Sequence, residues 1–458
     1  MLPNWTFIEP SSELFEPKSI GLCKALRTGI SNLKISKLYS MQVISLFAAA
    51  RLPLPSSEKI TTSSSQTLVF NDICIASPTG SGKTLAFGLA IYERIKLLRG
   101  AFVKALIVVP TRDLALQISS VLETLYTPSH LSVVTLVGQR SFANELIAIT
   151  RADVVVATPG RLVDHLMTSS VDFSRLSVLV FDEVDRLFSD SFQDLINVLK
   201  LKINAQNLNI LKIFASATLK FSSENSISGL LLNNPLLITS NSTVNKFSIP
   251  ETLHDTSSFV VSPLSHKPLF CKILLQQYLP VQNDDVSNQI LIFCNSCDSA
   301  HRLCRFLQIS MPNFKISEFS SNFSQIKRNI TLENFRNSKI SVLICSDSIS
   351  RGLDFPSVFA VISYDCPLTV VTLVHRIGRT GRANKSGNTI TILTSTQVSR
   401  YKRMLHSLST GLVKQQKIDP SLIALEEGKY QNDLIVLKKV LTHDELHPEI
   451  YANIQDIV

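Results

Sequence analysis

The 458-residue sequence is poor in charged residues and lacks long apolar runs. Only 18% of its residues are charged and 45% are hydrophobic, a balance that suits strands buried on both faces of a sheet. No apolar run reaches the ~20 residues that a membrane-spanning helix needs. The first residues, Met1 to Trp5, lack the basic and then apolar pattern of a secretion signal, so we expect an intracellular protein.

The eight cysteines form neither a disulfide framework nor a zinc pattern. They are scattered through apparent strands and helices, as is typical of proteins in a reducing compartment. Cys294 and Cys297 make the one C-x-x-C pair, and no second pair at a matching spacing accompanies it. We therefore expect no zinc site at this pair.

Basic residues outnumber acidic ones. The formal charge is +9 at pH 7 and the pI is near 9.1. This excess favours a polyanionic partner such as nucleic acid, although it says nothing about the fold.

Short apolar strands alternate with helix-length segments in two successive stretches of the chain. Such alternation predicts parallel sheets with helices on both faces. We therefore predict an α/β protein with two tandem parallel-sheet domains, at residues 30–240 and 254–408, joined by a linker at 241–253. Extensions are predicted at 1–29 and 409–458, the second of them helical. Ser56 to Gln66, rich in Ser and Thr, is predicted to be a flexible surface insertion.

The stretch from Ala76 to Thr84 has the composition of a loop that binds a polyphosphate. Gly80 and Gly82 would let backbone N–H groups converge on phosphate oxygens, Lys83 would supply a charge, and Thr84 a hydroxyl for Mg²⁺. An apolar, strand-like run precedes the loop and a helix-compatible segment follows, so the helix N-terminus would point at the anion. The alternative is a plain glycine-rich turn, since a serine stands at the first glycine of the pattern.

Two acidic residues follow an apolar strand that ends at Phe181. Ligands of α/β sheets lie at the carboxyl ends of strands, so Asp182 and Glu183 would face the phosphate loop. Asp182 can hold magnesium, usually through water, and Glu183 can orient and deprotonate an attacking water. The alternative is a solvated acidic turn.

The segment from His375 to Arg382 concentrates three arginines around glycines that permit close backbone approach. Hydrolysis of a γ-phosphate develops charge that an arginine from another domain can stabilise. A basic surface turn is the alternative. Phosphate contact is the better hypothesis, because Lys83 alone leaves the site short of positive charge.

The order of these motifs resembles that of DEAD-box RNA helicases of helicase superfamily 2, from about Leu38 to Leu405. Further segments resemble the remaining motifs of that family, in its order, which is more specific than any one motif. They are Pro110 to Ala115, Thr158 to Arg161, Ser216 to Thr218, Leu291 to Asn295, Gln325 with Arg328, and Ser346-Asp347 followed by Arg351 to Asp354.

The resemblance implies two RecA-like domains with a cleft between them that binds ATP and Mg²⁺. It implies a monomer that binds single-stranded RNA across both domains, hydrolyses ATP and separates short duplexes. Backbone contacts of this kind position a protein without reading bases. Two alternatives stay open: an ATP-gated clamp or scaffold without catalysis, and DNA as the partner.

The resemblance also assigns roles to individual residues. Catalysis falls to Lys83, Asp182, Glu183, Arg376 and Arg379, of which the two arginines would reach the γ-phosphate, and Thr84 and Asp182 would hold the metal. ATP would contact Gln42 at the adenine edge, Thr79, Gly80, Ser81, Gly82, Lys83, Thr84, Gly352, and Asp354 at the ribose. Asp185, Ser216, Thr218 and His375 would couple the domains. RNA would contact Pro110, Thr111, Arg112, Gly138, Thr158, Pro159, Gly160, Arg161, Asn295, Gln325, Arg328, Ser346 and Asp347.

Two segments depart from the family pattern. Val184 replaces the alanine of the acidic motif, a small apolar change that we expect activity to survive. Ahead of Gln42, Ser40 replaces a proline, the usual glycine is displaced to Gly29, and the upstream aromatic is Phe15 or Phe7.

A third departure points to a subgroup. Gly138-Gln139 replaces a double glycine and, with Ser265 to Leu269 and Glu318 to Ser321, resembles the subgroup that assists assembly of the large ribosomal subunit. That resemblance implies precursor ribosomal RNA and pre-ribosomal proteins as partners, and a location in the nucleolus.

Overall fold

The computed structural model divides the chain into two compact units, Met1–Ser248 and Ile249–Val458. It describes residues 6–53, 59–61, 72–77, 80–168, 173, 175–187, 193–203, 210–216, 232–239, 253–279, 289–320, 322–347, 358–381, 387–408 and 414–446. In these ranges, no helix is both long enough and apolar enough to cross a membrane. The finer domain boundaries given above remain predictions.

The first unit is built on a nine-stranded sheet. Its strands are β1 (Thr6–Glu9), β4 (Lys59–Thr61), β5 (Asp72–Ala76), β6 (Ala105–Val108), β7 (Val133–Leu136), β8 (Val154–Ala157), β9 (Val178–Asp182), β10 (Leu211–Ser216) and β11 (Pro235–Thr239). Their order is β4-β1-β11-β5-β10-β9-β6-β8-β7, and every pairing is parallel except that of β1 with β4. The predicted parallel sheet is thereby confirmed for this unit.

Helices cover both faces of this sheet. They are α1 (Lys24–Asn32), α2 (Ser40–Ala50), α3 (Lys83–Ile95), α4 (Arg112–Tyr126), α5 (Phe142–Ile149), α6 (Pro159–Thr168), α7 (Val184–Leu187) and α8 (Gln193–Ile203). Successive residues of a strand pack into different apolar clusters: Ile107 belongs to one cluster, whereas Leu106 and Val108 belong to the other. Burial on both faces explains why the strands read as continuous apolar runs.

The start of the chain is part of this sheet. β1 lies between β11 and β4, and a short antiparallel pair joins β2 (Leu14–Phe15) to β3 (Leu38–Tyr39), just before α2. A Cβ on Gly29 would lie 2.0 Å from the carbonyl oxygen of Leu125, so this glycine lets α1 pack closely on α4.

The prediction of a flexible insertion at Ser56 to Gln66 is wrong in part. Lys59–Thr61 forms an edge strand that pairs with β1. The remaining residues of that segment lie outside the described ranges.

The second unit contains a seven-stranded sheet in which every pairing is parallel. Its strands are β12 (Leu253–Val261), β13 (Ile290–Cys294), β14 (Ile316–Phe319), β15 (Val342–Ser346), β16 (Ala360–Ser363), β17 (Gly387–Thr394) and β18 (Lys414–Gln416), in the order β14-β15-β13-β16-β17-β12-β18. The helices are α9 (Lys267–Tyr278), α10 (Cys297–Ser310), α11 (Gln325–Arg336), α12 (Val370–Ile377), α13 (Val398–His406) and α14 (Pro420–Leu446).

The long helix α14 packs on α9 and α10. Glu426 accepts a hydrogen bond from the buried Lys272 at 2.6 Å, and Asp444 pairs with Arg305 at 2.8 Å. Tyr430 is 2% exposed and lies edge-on to the ring of Phe306. The predicted helical tail is therefore helical over these residues and docked on its own unit.

Candidate nucleotide site and nucleic-acid interface

Three neighbouring strands of the first unit end at the same edge of the sheet. In the register, Ala76 of β5 pairs with Ser216 of β10, and Ala215 pairs with Asp182 of β9. The N–H of Ser77 donates to the carbonyl oxygen of Ser216 at 3.1 Å, which extends the ladder into the loop. The strand that precedes the phosphate loop and the strand that carries the acids are therefore separated only by β10.

The phosphate loop turns through two glycines in the left-handed region of backbone space. The φ angles are 80° at Gly80 and 86° at Gly82, where glycine is favoured over other residues. Lys83 begins α3, and its ammonium donates to the carbonyl oxygen of Ser77 at 2.8 Å. Thr84 follows in the first turn of the helix. Thr79 lies outside the described residues.

Gln42 lies against this loop. Its side-chain nitrogen donates to the carbonyl oxygen of Gly82 at 3.3 Å, and its side-chain oxygen accepts the N–H of Tyr39 at 2.9 Å. The residue is 3% exposed. The irregular segment around Gln42 thus still brings its amide to the loop, although its contact with adenine remains a prediction.

The two acids differ in their surroundings. Asp182 is 5% exposed, and burial raises its pKa to about 7; Lys83 acts in the opposite direction and Glu183 in the same one. Its carboxylate accepts the N–H of Glu183 at 2.9 Å. Glu183 has a φ of 51°, a conformation that costs about 1–3 kcal/mol in a residue other than glycine and that clusters at functional sites.

Two buried polar atoms at this site have no hydrogen-bond partner within the described part of the chain, the hydroxyl of Ser81 and Oε2 of Glu183. Orphaned groups of this kind are rare in folded proteins, and a bound ligand is one of the few explanations. The donor set fits a nucleotide with Mg²⁺, a cation that takes one or two carboxylates together with phosphate oxygens. Among the described residues, no cluster of three or more His, Cys, Asp or Glu side chains forms an all-protein metal site.

Val184 fits the position where the family pattern has alanine. It begins α7, is 5% exposed and belongs to the apolar cluster that includes Leu179 and Leu187. The extra methyl groups are therefore accommodated by the core. Asp185 follows on the same short helix.

The predicted RNA contacts of the first unit lie at two helix starts and one loop. Thr111 caps α4 and accepts the N–H of Leu114 at 3.4 Å, after Pro110. Arg112 donates to the side-chain oxygen of Gln139, the residue after Gly138. Gln139 has a φ of 69°, which is why the family pattern has glycine there.

The third of these places is the start of α6. The N–H of Thr158 donates to the carbonyl oxygen of Leu136 at 3.1 Å, which anchors the turn that enters the helix at Pro159 and Gly160. Arg161 pairs with Glu145 at 2.6 Å. Sequence reasoning missed Glu145, whose only local signal is its place in the first turn of α5.

In the second unit, Arg376 is 1% exposed and bonded within its own unit. Its Nε and Nη2 donate to the two carboxylate oxygens of Asp347, each at 2.7 Å. Nη2 also donates to the side-chain oxygen of Asn295 at 2.8 Å, and Nη1 donates to the carbonyl oxygen of Asp365. These four hydrogen bonds join Arg376 to Asp347, Asn295 and the chain just after β16, and its contact with a γ-phosphate stays a prediction.

Asp365 is a second residue that sequence reasoning missed. Its carboxylate accepts the ammonium of Lys267, the N–H of Asn295 at 3.1 Å and the hydroxyl of Ser299 at 2.9 Å. Burial pushes the pKa of Asp365 up, but Lys267 and the hydrogen bonds outweigh it, so the pKa lies below its usual value. The charged carboxylate thus holds Asn295 next to Arg376.

The remaining predicted residues of this unit lie at other strand and helix ends. Gln325 begins α11 and its side-chain oxygen accepts a bond from Arg328 at 2.6 Å. Ser346 ends β15, 3.6 Å from the thiol of Cys297. His375 and Arg379 are 4% and 2% exposed. Thr218, Gly352, Asp354 and Arg382 lie outside the described residues.

Comparisons with known families match both halves of the chain. Residues 59–227 match the DEAD/DEAH box helicase family, and residues 270–384 match the helicase conserved C-terminal domain.

Curated relatives match over most of the chain. The DEAD-box ATP-dependent RNA helicase 1 of rice is 34% identical over 73% of this chain and 73% of its own length. The ATP-dependent RNA helicase DBP6 of Yarrowia lipolytica is 31% identical over 96% of this chain and 71% of its own. The ATP-dependent RNA helicase DDX51 of zebrafish is 31% identical over 81% of this chain, but the match spans only 62% of that relative's length.

Solved structures share the fold. Mss116p bound to single-stranded RNA and AMP-PNP superposes with a TM-score of 0.77 at 23% identity, over 98% of this chain and 90% of that one. Yeast (S. cerevisiae) Dbp5 bound to RNA and ADP-BeF3 gives a TM-score of 0.71 at 20% identity, over 93% and 99%. Two RecA-like parallel-sheet units are thereby confirmed.

Proposed function

The chain belongs to the DEAD/DEAH box helicase family, and on this premise we propose that it is an RNA-dependent ATPase that remodels or unwinds short RNA duplexes. The observation that carries the proposal is the edge of the first sheet, where Lys83 follows β5 and where Asp182 and Glu183 lie at the end of β9. A lysine, a metal-binding carboxylate and a second carboxylate at one strand edge are the groups that phosphoryl transfer to water requires.

Each of these groups has a distinct part in the reaction. The loop N–H groups, the start of α3 and Lys83 bind and orient the phosphates. Glu183 accepts the proton of the attacking water, a role supported by its buried oxygen, which has no hydrogen-bond partner among the described residues. Asp182 and Thr84 would hold Mg²⁺, which when bound neutralises phosphate charge. Gln42 would contact the adenine.

The second unit supplies the remaining positive charge. With Arg376 bonded to Asp347, Arg379 is the described arginine of this segment that we assign to the γ-phosphate. Ser216, Asp185 and His375 would relay RNA binding to the ATP site. Turnover would then require RNA, because the arginine and the acids come from different units.

Biologically, we assign the protein to precursor ribosomal RNA and to assembly of the large ribosomal subunit in the nucleolus, with pre-ribosomal proteins as partners. The support is the subgroup resemblance at Gly138 to Ser141, Ser265 to Leu269 and Glu318 to Ser321. Crosslinking in cells followed by sequencing of the bound RNA tests this assignment. Enrichment of precursor ribosomal RNA supports it, and a messenger-RNA profile removes it.

The catalytic proposal is tested by Glu183→Gln, which keeps the size of the side chain and removes its basicity. Phosphate release is measured with and without single-stranded RNA, beside ATP binding. We expect RNA to stimulate the parent, and Glu183→Gln to bind ATP and RNA while turnover falls at least about a hundredfold. A variant as fast as the parent would show that Glu183 is not the base. If the parent binds RNA only in the presence of ATP but releases no phosphate, the protein is the non-catalytic clamp. If a matched DNA strand stimulates phosphate release as much as RNA does, DNA is also a partner.

A further inference from the structure

Glu145 is a buried carboxylate that contacts two elements of the candidate RNA surface. It is 4% exposed and lies in the first turn of α5. Its Oε1 accepts the N–H of Val137, just before Gly138, at 3.2 Å. Its Oε2 accepts Nε of Arg161 at 2.6 Å and lies 2.9 Å from Nε2 of His165. One side chain thus joins the glycine loop to the start of α6.

Arg161 is held on two further sides. Its Nη2 donates to the carbonyl oxygen of Arg140 at 2.7 Å. Its guanidinium lies 4.9 Å from the ring centroid of Phe142, and the ring of His165 stacks on the same phenyl ring at 4.1 Å and 9°. Nε and one N–H of Nη2 are therefore used by other described residues, which leaves Nη1 and the second N–H of Nη2 for phosphate oxygens.

We propose that Glu145 is a positioning residue for RNA: it sets the orientation of Arg161 and of the loop at Gly138, so that both meet the sugar-phosphate backbone in one fixed geometry. The inference rests on the proposed RNA-binding function. A guanidinium fixed before binding loses little conformational freedom on contact with a phosphate, and preorganisation of this kind raises affinity.

The negative charge of Glu145 means that positioning and simple electrostatics predict opposite changes in RNA affinity. A carboxylate beside a phosphate-binding arginine repels phosphates, so removal of its charge would strengthen RNA binding if charge alone mattered. Loss of the anchor acts in the opposite direction, because Arg161 is freed to adopt other rotamers. Positioning therefore predicts weaker binding from a substitution that makes the surface more positive.

Glu145→Gln is the variant that separates these effects. Glutamine keeps an acceptor for Val137 and loses the ionic contact with Arg161. Asp164→Asn is the matched control, since Asp164 is an exposed acid on α6, three residues after Arg161. Affinity is measured with a fluorescent oligouridine in the presence of AMP-PNP. We expect Glu145→Gln to weaken RNA binding about tenfold, the loss of roughly one charge-assisted hydrogen bond, and Asp164→Asn to leave it unchanged or slightly stronger.

Two further variants keep the test decisive. Arg161→Ala should weaken RNA binding, and adding Glu145→Gln to it should cost nothing more, because there is no longer an arginine to orient. Phe142→Leu removes the ring beside Arg161 while keeping apolar volume, and it should also weaken RNA binding. If Glu145→Gln loses ATP binding as well, that variant has not folded, and Phe142→Leu then serves as the test of the positioning role.

Each outcome leads to one conclusion about the positioning role of Glu145. The positioning role is overturned if the Glu145→Gln variant binds RNA as tightly as the parent or more tightly. If Glu145→Gln does not fold, parental RNA affinity in the Phe142→Leu variant overturns it instead. If Arg161→Ala still weakens binding in that case, the proposed RNA surface stands. If Arg161→Ala leaves affinity unchanged, the RNA surface itself is wrong and the inference fails with it.

Discussion

The side-chain amide of Gln42 donates to the carbonyl oxygen of Gly82 across 3.3 Å, so helix α2 and the phosphate loop hold each other in place. A Cβ on Gly82 would lie 2.3 Å from the same nitrogen, and the φ of 86° at this position already favours glycine. The amide is thus fitted to a loop that has no room for a side chain.

Replacing Gln42 with alanine should weaken ATP binding about tenfold, roughly the loss of one buried hydrogen-bonding group. The measurement is nucleotide affinity by titration with fluorescent ATP and GTP analogues. If Gln42 reads adenine, the preference for ATP over GTP falls with it. If the amide only braces the loop, both affinities fall in parallel and the ratio stays at the parental value.

The raised pKa of Asp182 predicts a pH-dependent stability in the absence of nucleotide and Mg²⁺. Because the folded state holds this proton up to about pH 7 and the unfolded state releases it near 3.8, the free energy of unfolding falls as pH rises between these values. The loss amounts to at most about 4 kcal/mol. Thermal melts from pH 4 to 8 measure it. Asp182→Asn should flatten this part of the profile, and a slope unchanged in that variant would assign the effect to another group.

Replacing Arg376 and Arg379 by lysine should affect different properties of the protein. Arg376→Lys loses the paired bonds to Asp347, so melting temperature and RNA-stimulated turnover should fall together. Arg379→Lys should reduce turnover at least about tenfold through lost transition-state charge stabilisation, with ATP affinity near the parental value. Parental turnover in Arg379→Lys would contradict this division of roles.

Helix α14 should stabilise the second unit through an ion pair with the buried Lys272. Lys272 is 1% exposed, and Glu426 of α14 accepts its hydrogen bond at 2.6 Å. Glu426→Ala leaves the ammonium buried without this partner, which should cost about 1 to 3 kcal/mol. Urea unfolding measures the change.

The neighbouring Glu427 provides the control for that experiment. It pairs with His266 at 3.2 Å, and both side chains are more exposed. Glu427→Ala should therefore cost less than about 1 kcal/mol. A loss as large as that of Glu426→Ala would mean that the helix contributes by packing and not through Lys272.

The sequence predicted which strand ends share an edge of the first sheet because that information is local. An apolar run marks a strand buried on both faces, and the residues that follow it must lie at the strand's carboxyl end. Asp182 and the loop at Lys83 could therefore be placed at one edge before their contacts were known.

Two other features could not be predicted because their partners are distant in sequence and leave no periodic pattern. Arg376 is bonded to Asp347 and Asn295, which lie on other elements, so its motif alone suggested a free arginine. The edge strand Lys59–Thr61 is polar and flanked by serines and threonines, and edge strands carry little of the apolar signal that identifies buried ones.

The pairing of strand β1 with β11 has a consequence for how the chain is made. Thr6 lies beside Leu236, so the first strand finds its parallel neighbour β11 only after about 230 further residues have been synthesised. At roughly 5 to 20 residues per second, that takes about 10 to 50 s. During this time the segment Thr6–Glu9 has no β11 beside it, and closure of the sheet that carries the phosphate loop becomes a late event on the ribosome.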